Sequence, residues 1–119
     1  MKRLPRNWRD RIELNENGRI FILRFRKGYT PPGFRSEIGC LMVERHLVCD
    51  VYVNKRFRHK GLGKLLYETA LRKNKYIWTK IYAATSDAQR VWTSLCKKYK
   101  SKKDRQKGTI TVYDLPKSN

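Results

Sequence analysis

The sequence predicts an α/β fold, a mixed and mostly antiparallel sheet with two main helices, in a single domain over residues 1–119. Three observations predict it. The first half is a series of short apolar stretches separated by turn residues, which reads as an antiparallel meander. The second half changes period, and two segments carry apolar residues at every third or fourth position. At 119 residues and 39% hydrophobic composition, the chain can fill one core and not two.

Arg11–Leu14 is a short, partly apolar first strand. Asn15-Glu16-Asn17-Gly18 follows, and Asn-Gly is a strong hairpin signal because both residues tolerate the positive φ of a type I′ turn. Arg19–Arg26 is rich in β-branched and aromatic residues and predicts the second strand. Gly28–Gly33, with two prolines, is a loop. Ser36–Glu44 and Leu47–Val53 are two further strands joined tightly around Arg45-His46.

Gly61–Lys73 sets Leu62, Leu65, Leu66 and Ala70 on one helical face. Tyr76–Ala84 reads as a strand. Ser86 is the expected N-cap of the second helix, with Gln89 as its capping-box partner. Behind it, Ala88, Val91, Trp92, Leu95, Cys96 and Tyr99 recur at helical spacing. Lys97, Lys98 and Lys100 complement the dipole at its end. A charged loop, Ser101–Gly108, then leads to a last strand at Thr109–Tyr113.

Composition narrows the function. There are 29 Lys and Arg against 10 Asp and Glu, a formal net charge of +19. A field of that size draws in polyanions: nucleic acid, an acidic protein or a phosphorylated cofactor. No run of apolar residues approaches the roughly 20 of a membrane span, so no membrane is expected. Cys40, Cys49 and Cys96 are odd in number and well separated, which suits a reducing, cytoplasmic setting. Neither they nor His46 and His59 have metal-ligand spacing, and no metal is expected.

The chemistry concentrates in Val51-Tyr52-Val53-Asn54-Lys55-Arg56-Phe57-Arg58-His59-Lys60-Gly61-Leu62-Gly63-Lys64. A strand runs into a basic turn and then into the first turn of a helix. The first four amides of a helix lack internal partners, and the dipole makes that end electropositive. Gly61 and Gly63 let an anion approach the backbone, while Lys60 and Lys64 add charge. This is a phosphate cradle. It is not a Walker A loop, since no glycine lies five before Gly63 and Leu65 replaces the Ser or Thr. Nor is it a dinucleotide fingerprint, with two glycines of three and antiparallel strands before it.

In this stretch the sequence resembles the GNAT superfamily of acyl-CoA-dependent N-acyltransferases. The family signature, Gln/Arg-x-x-Gly-x-Gly/Ala, is matched by Arg58-His59-Lys60-Gly61-Leu62-Gly63. The aliphatic-x-Val that precedes it is matched by Val51-Tyr52-Val53, and the next helix by Thr85–Trp92. The resemblance covers residues 19–114. It implies a GNAT-like sheet, acetyl-CoA as co-substrate, and backbone amides from His59 to Lys64 around the pyrophosphate. It also implies that Val51–Val53 pairs with pantetheine and that an amide near Val51 polarises the thioester carbonyl.

Two departures from the family matter. Its two helices between the first strands are replaced by the Asn17-Gly18 turn, so the acceptor site is open, as a macromolecular acceptor or a completing partner requires. Trp92 stands where the family often has a tyrosine acid, and an indole N–H is too weak an acid. Tyr99, or Tyr113, is the substitute expected. Among Glu37, Glu44, His46 and Asp50, the bases expected are Glu44 and Asp50. Leu47 occupies the family's glutamate position.

A second reading from another class is a basic module without strong catalysis that binds nucleic acid or an acidic protein. There Arg24, Arg26 and Lys27 would face Lys97–Lys107 across a groove, with Tyr29 and Phe34 stacking on bases. A homodimer is compatible with either reading.

Overall fold

The computed structural model describes residues 4–117. A 3₁₀ turn at Trp8–Arg11 leads into β1 (Ile12–Glu16), β2 (Ile20–Phe25), β3 (Glu37–Glu44) and β4 (Leu47–Val53). A second 3₁₀ turn, Lys55–Phe57, precedes α1 (Leu62–Asn74) and β5 (Tyr76–Lys80). A third, Ile81–Ala83, leads to α2 (Ser86–Lys98), β6 (Tyr99–Asp104) and β7 (Thr109–Pro116). The strands form one sheet in the order β1-β2-β3-β4-β5-β7-β6. Every neighbouring pair is antiparallel except β4 and β5, which are parallel. The fold class is the mixed, mostly antiparallel α/β arrangement that the hydrophobic periods predict.

Alternation along the strands decides which side chains meet the helices. Phe21, Leu23, Phe25, Leu41, Ile77 and Val112 are fully buried, as are Leu66, Leu71 and Leu95 of the helices. Burying each such side chain contributes about 1.5–3 kcal/mol. Gly39 is the point of closest approach: a Cβ there would lie 2.9 Å from the Tyr52 carbonyl oxygen and 3.3 Å from Leu66 Cδ1. Trp92 of α2 packs edge-on against Tyr67 of α1, at 5.4 Å between ring centroids. Both helices therefore lie on one face of the sheet. The other face carries Met42, Tyr52 and Tyr76, each more than a third exposed.

Local chemistry departs from the expectations in five places. Positive φ at the first hairpin falls on Gly18 alone, and Asn17 instead uses its side-chain oxygen to accept from the amides of Arg19 and Ile20. The pair of positive φ values that marks a type I′ turn is at Arg45 (50°) and His46 (68°). β5 holds that turn in place: Trp78 donates from its backbone to His46 and from its indole to Arg45, and the His46 ring stacks on Tyr76 at 3.7 Å.

The N-cap of α2 is Thr85 rather than Ser86, with its hydroxyl accepting from the Ala88 amide. Gln89 does fold back, to the Ala84 carbonyl. The expected strand from Tyr76 stops at Lys80 and gives way to the 3₁₀ turn. Finally, Tyr99 opens β6 instead of extending α2, and the first half of the expected loop, Ser101 to Asp104, belongs to that strand. All three cysteines are free. Among the described residues no helix is long and apolar enough to cross a membrane.

Candidate functional site

β4 and β5 pair at one position, Leu47 with Trp78, and diverge beyond it. Along its other edge β4 is paired with β3 up to Val53. The Asn54 amide donates to Ile38 at 2.7 Å, so by strand alternation Val53 and Val51 turn their backbone groups toward the gap. The Val53 carbonyl accepts there from Arg58 Nε at 3.1 Å. A bulge between β3 and β4 leaves Cys49 with no residue opposite it on β3, which lets Val48 and Val51 both face the helices.

The turn after β4 is built on one apolar anchor. Phe57 is buried among Trp8, Phe25 and Phe34, with ring centroids 5.6–5.8 Å away in edge-on contacts. Asn54 caps the turn by accepting from the Arg56 amide, and Arg56 lies over Phe34 while donating to the Gly33 carbonyl. Arg9 donates to the Lys60 carbonyl at 2.9 Å. The chain then enters the left-handed region at His59 (φ 63°) and again at Gly61 (φ 80°). Gly61 is the N-cap of α1 and supplies no side chain to it, and the first turn has no carboxylate. The leading amides of α1 thus open on an electropositive end with no side-chain cap.

Strand gap and helix end meet in a cleft of about 490 Å³. Of the ten residues expected at the cofactor, nine line it: Val51, Tyr52, Val53, Arg58, His59, Gly61, Leu62, Gly63 and Lys64. Lys60 is not among the lining residues. The opposite wall comes from α2 and the residue before it, with Thr85, Asp87, Arg90 and Val91. A Cβ on Gly63 would sit 3.9 Å from both Val53 Cγ2 and Val91 Cγ2. Glycine there holds open the narrow part of the cleft between β4 and α2.

None of the three expected acid–base residues lines this cleft. Glu44 borders a separate depression with Arg19, His46 and Asn74. Asp50 is exposed on β4, opposite Met42. Tyr99 donates from its hydroxyl to Glu68 at 2.6 Å, and Lys98 joins the same carboxylate at 2.9 Å. Burial raises the Glu68 pKa, but these hydrogen bonds and the lysine charges outweigh it and hold the carboxyl below its ordinary value. Trp92 is a core residue, 2% exposed.

The sequence reading missed Tyr67, which lines the cleft one helical turn after Gly63. The i, i+4 spacing on α1 was the available signal. Burial pushes its phenol up to about 12, partly offset by a hydrogen bond with Trp92. It is a neutral donor at physiological pH. Tyr52 donates to Glu37 at 2.6 Å, and that bond, followed by burial, pushes its phenol up to about 12 as well. Glu37 was one of four carboxylate or histidine candidates, and the tertiary contact ties it to the cleft wall.

The groove expected between two basic stretches does not form. Arg24 lies on β2 and the Lys97–Lys107 stretch on or beside β6, with four strands between them in the sheet. Phe34 packs into the apolar cluster around Phe57.

Neither a protein-family model nor a curated protein sequence matches the chain. Among solved structures it is similar to apo-form YjaB from Escherichia coli, with TM-score 0.47 and 13% identity over 81% of this chain. It spans 65% of that protein's length. It is also similar to the ribosomal-protein-S18-alanine N-acetyltransferase from Escherichia coli, with TM-score 0.48 and 17% identity. That likeness covers 92% of this chain and 72% of the other.

Proposed function

We propose that the chain is an acyl-CoA-dependent N-acyltransferase of the GNAT kind, moving an acetyl group directly from acetyl-CoA to an amine on a macromolecule. One observation carries the reading. The unpaired backbone edge of β4 and the uncapped first turn of α1 open into the same cleft, within a stretch that matches the family signature. A long anion with an amide-bearing tail requires that pairing of features.

In this reading the amides of Leu62, Gly63 and Lys64 hold the pyrophosphate, with the α1 dipole and Lys64 supplying positive potential. The outward backbone groups of Val51 and the Val53 amide hold the pantetheine amides as a neighbouring strand would, beside the Val53 carbonyl that Arg58 already engages. Bound acetyl-CoA supplies a thioester carbonyl, and the reaction forms a C–N bond as the C–S bond breaks. The Val51 amide is aimed where negative charge develops on that carbonyl oxygen. Tyr67, protonated and lining the cleft one helical turn beyond Gly63, offers a neutral hydroxyl donor there. The acceptor amine enters from the uncovered sheet face, where Tyr52 and Glu37 are joined.

Titration calorimetry with acetyl-CoA and with CoA, repeated in added salt, tests the donor site. Saturable micromolar binding that survives salt is expected, and binding that disappears with salt like generic charge attraction overturns the reading. A second reading keeps the fold and the cleft without catalysis. It is favoured by the absence of Glu44, Asp50 and Tyr99 from the cleft lining. Turnover with any amine acceptor, lost on substituting Gly63, decides against it.

A further inference from the structure

We propose that the β6 edge of the sheet, together with Tyr82, is a binding surface for single-stranded nucleic acid. The inference is independent of the donor cleft, which lies at the other side of β5 and β7.

Among the described residues β6 pairs with β7 alone, so its outer edge carries no other strand. Six residues of strand run about 20 Å. Along it and at its two ends, Lys97, Lys100, Lys102, Lys103, Arg105 and Lys107 are all exposed. None of the six has an ion pair among the described residues. The one acid of the stretch, Asp104, turns its carboxylate to the Lys107 amide at 3.0 Å. Lysines on an edge strand discourage pairing with other chains. That role needs one or two charges, not six, and it needs no aromatic residue.

An aromatic residue is present. Tyr82 is 88% exposed, the most exposed large apolar residue among the described residues. Its position is fixed by the turn between β6 and β7: the Ile81 amide donates to the Gly108 carbonyl at 2.8 Å. The Tyr82 ring lies against Gly108, where a Cβ would come within 2.8 Å of Cε2. An exposed ring at the end of a cationic ribbon is the combination that single strands recognise. Phosphates follow the charges and an unpaired base stacks on the ring, whatever its sequence. An acidic polypeptide would use the cations and leave the ring idle. A duplex hides the base faces that the ring would contact.

Fluorescence anisotropy with a labelled 12-nucleotide oligoadenylate, a 12-base-pair duplex and a 12-residue polyglutamate decides the matter. If all six cations meet phosphates, the log–log salt slope for the single strand is about −4. The triple variant Lys100→Ala, Lys102→Ala, Lys103→Ala is expected to make that slope shallower by about 2. Tyr82→Ala is expected to weaken single-strand binding about 5- to 150-fold with the slope unchanged. A charge-matched control, Arg19→Ala, Arg24→Ala, Arg26→Ala, removes the same charge from the opposite part of the sheet and is expected to cost under about threefold. Thermal melts check that every variant is folded, and all seven positions are exposed. The proposal is overturned if the control triple loses as much as the β6 triple, or if Tyr82→Ala changes nothing. It also falls if polyglutamate or the duplex binds as tightly as the single strand.

Discussion

The cleft is walled by β4, the turn after it, α1 and α2, and its narrow part lies where Gly63 sits between Val53 and Val91. The β6 edge, by contrast, presents long flexible cations and one exposed ring. Both are suited to anions, but the physics differs. Backbone amides at a helix start are fixed by the fold and have short range, so a single added carbon can exclude a ligand. Lysines on an edge act through a screened field, so their contributions are small, additive and salt-sensitive. One region should fail abruptly under substitution and the other gradually.

Substitution of Gly63 is the sharpest break of that contrast. Its Cβ would make only ordinary contacts with Val53 and Val91, and its φ is not in the left-handed region. Gly63→Ala should leave the fold intact or stabilise it by about 0.5–1 kcal/mol. Gly63→Val fills the gap, and a loss of acetyl-CoA affinity of about 100-fold or more is expected by calorimetry. Retained affinity in a folded Gly63→Val protein would remove the donor cleft from consideration.

Tyr67 sharpens the picture on the cleft side. A folded-state pKa of about 12, above the ordinary phenol value of 10.0, means that the native state binds this proton more tightly than the unfolded chain. The resulting stability is complete below about pH 10 and is lost as pH rises toward 12, by about 2–3 kcal/mol at most. Urea unfolding at pH 9 and pH 11 should therefore show a steeper loss in the parent than in Tyr67→Phe. Equal losses would mean that the hydroxyl is not buried as described.

Gly39→Ala comes next. The obstacle is a backbone carbonyl of β4 that the sheet holds in place, so destabilisation of about 1–3 kcal/mol is expected in urea. Gly61→Ala meets no atom within 4 Å, and its cost is conformational alone, about 1 kcal/mol. Gly61→Asn should recover much of that, since asparagine tolerates the left-handed region. Smallest of all is Lys102→Ala, which should change the nucleic-acid salt slope by about 0.7 and stability by no more than about 0.5 kcal/mol.

The same contrast explains what could be read from the sequence. The cradle lies within fourteen consecutive residues, and a contiguous strand–turn–helix declares its geometry locally. The opposite wall, with Asp87, Arg90 and Val91, comes from another helix, and only tertiary packing brings it across. β6 is not legible in the sequence because Tyr-Lys-Ser-Lys-Lys-Asp has no apolar alternation to bury. It pairs with β7 through its backbone, and an edge strand has reason to be charged. Tyr99 misled by continuing the helical apolar period one turn too far. The two hairpins show tertiary context overriding turn propensity. Asn17 has the favoured residue type but caps with its side chain, while Arg45 and His46 are held at positive φ by Trp78 and Tyr76.

The solitary Leu47–Trp78 pairing has a mechanical consequence. The sheet consists of two leaves, β1 to β4 and β5 with β7 and β6, bound along a spine one rung long at one end. Widening the far end breaks no backbone ladder, and what ties the leaves together there is side-chain packing of α1, which lies on β2 and β3 of one leaf and on β5 and β7 of the other. A ligand chain lying against the free edge of β4 would supply the rungs that β5 does not. Occupied, the two leaves would be joined through the ligand's backbone-like groups as well as through α1.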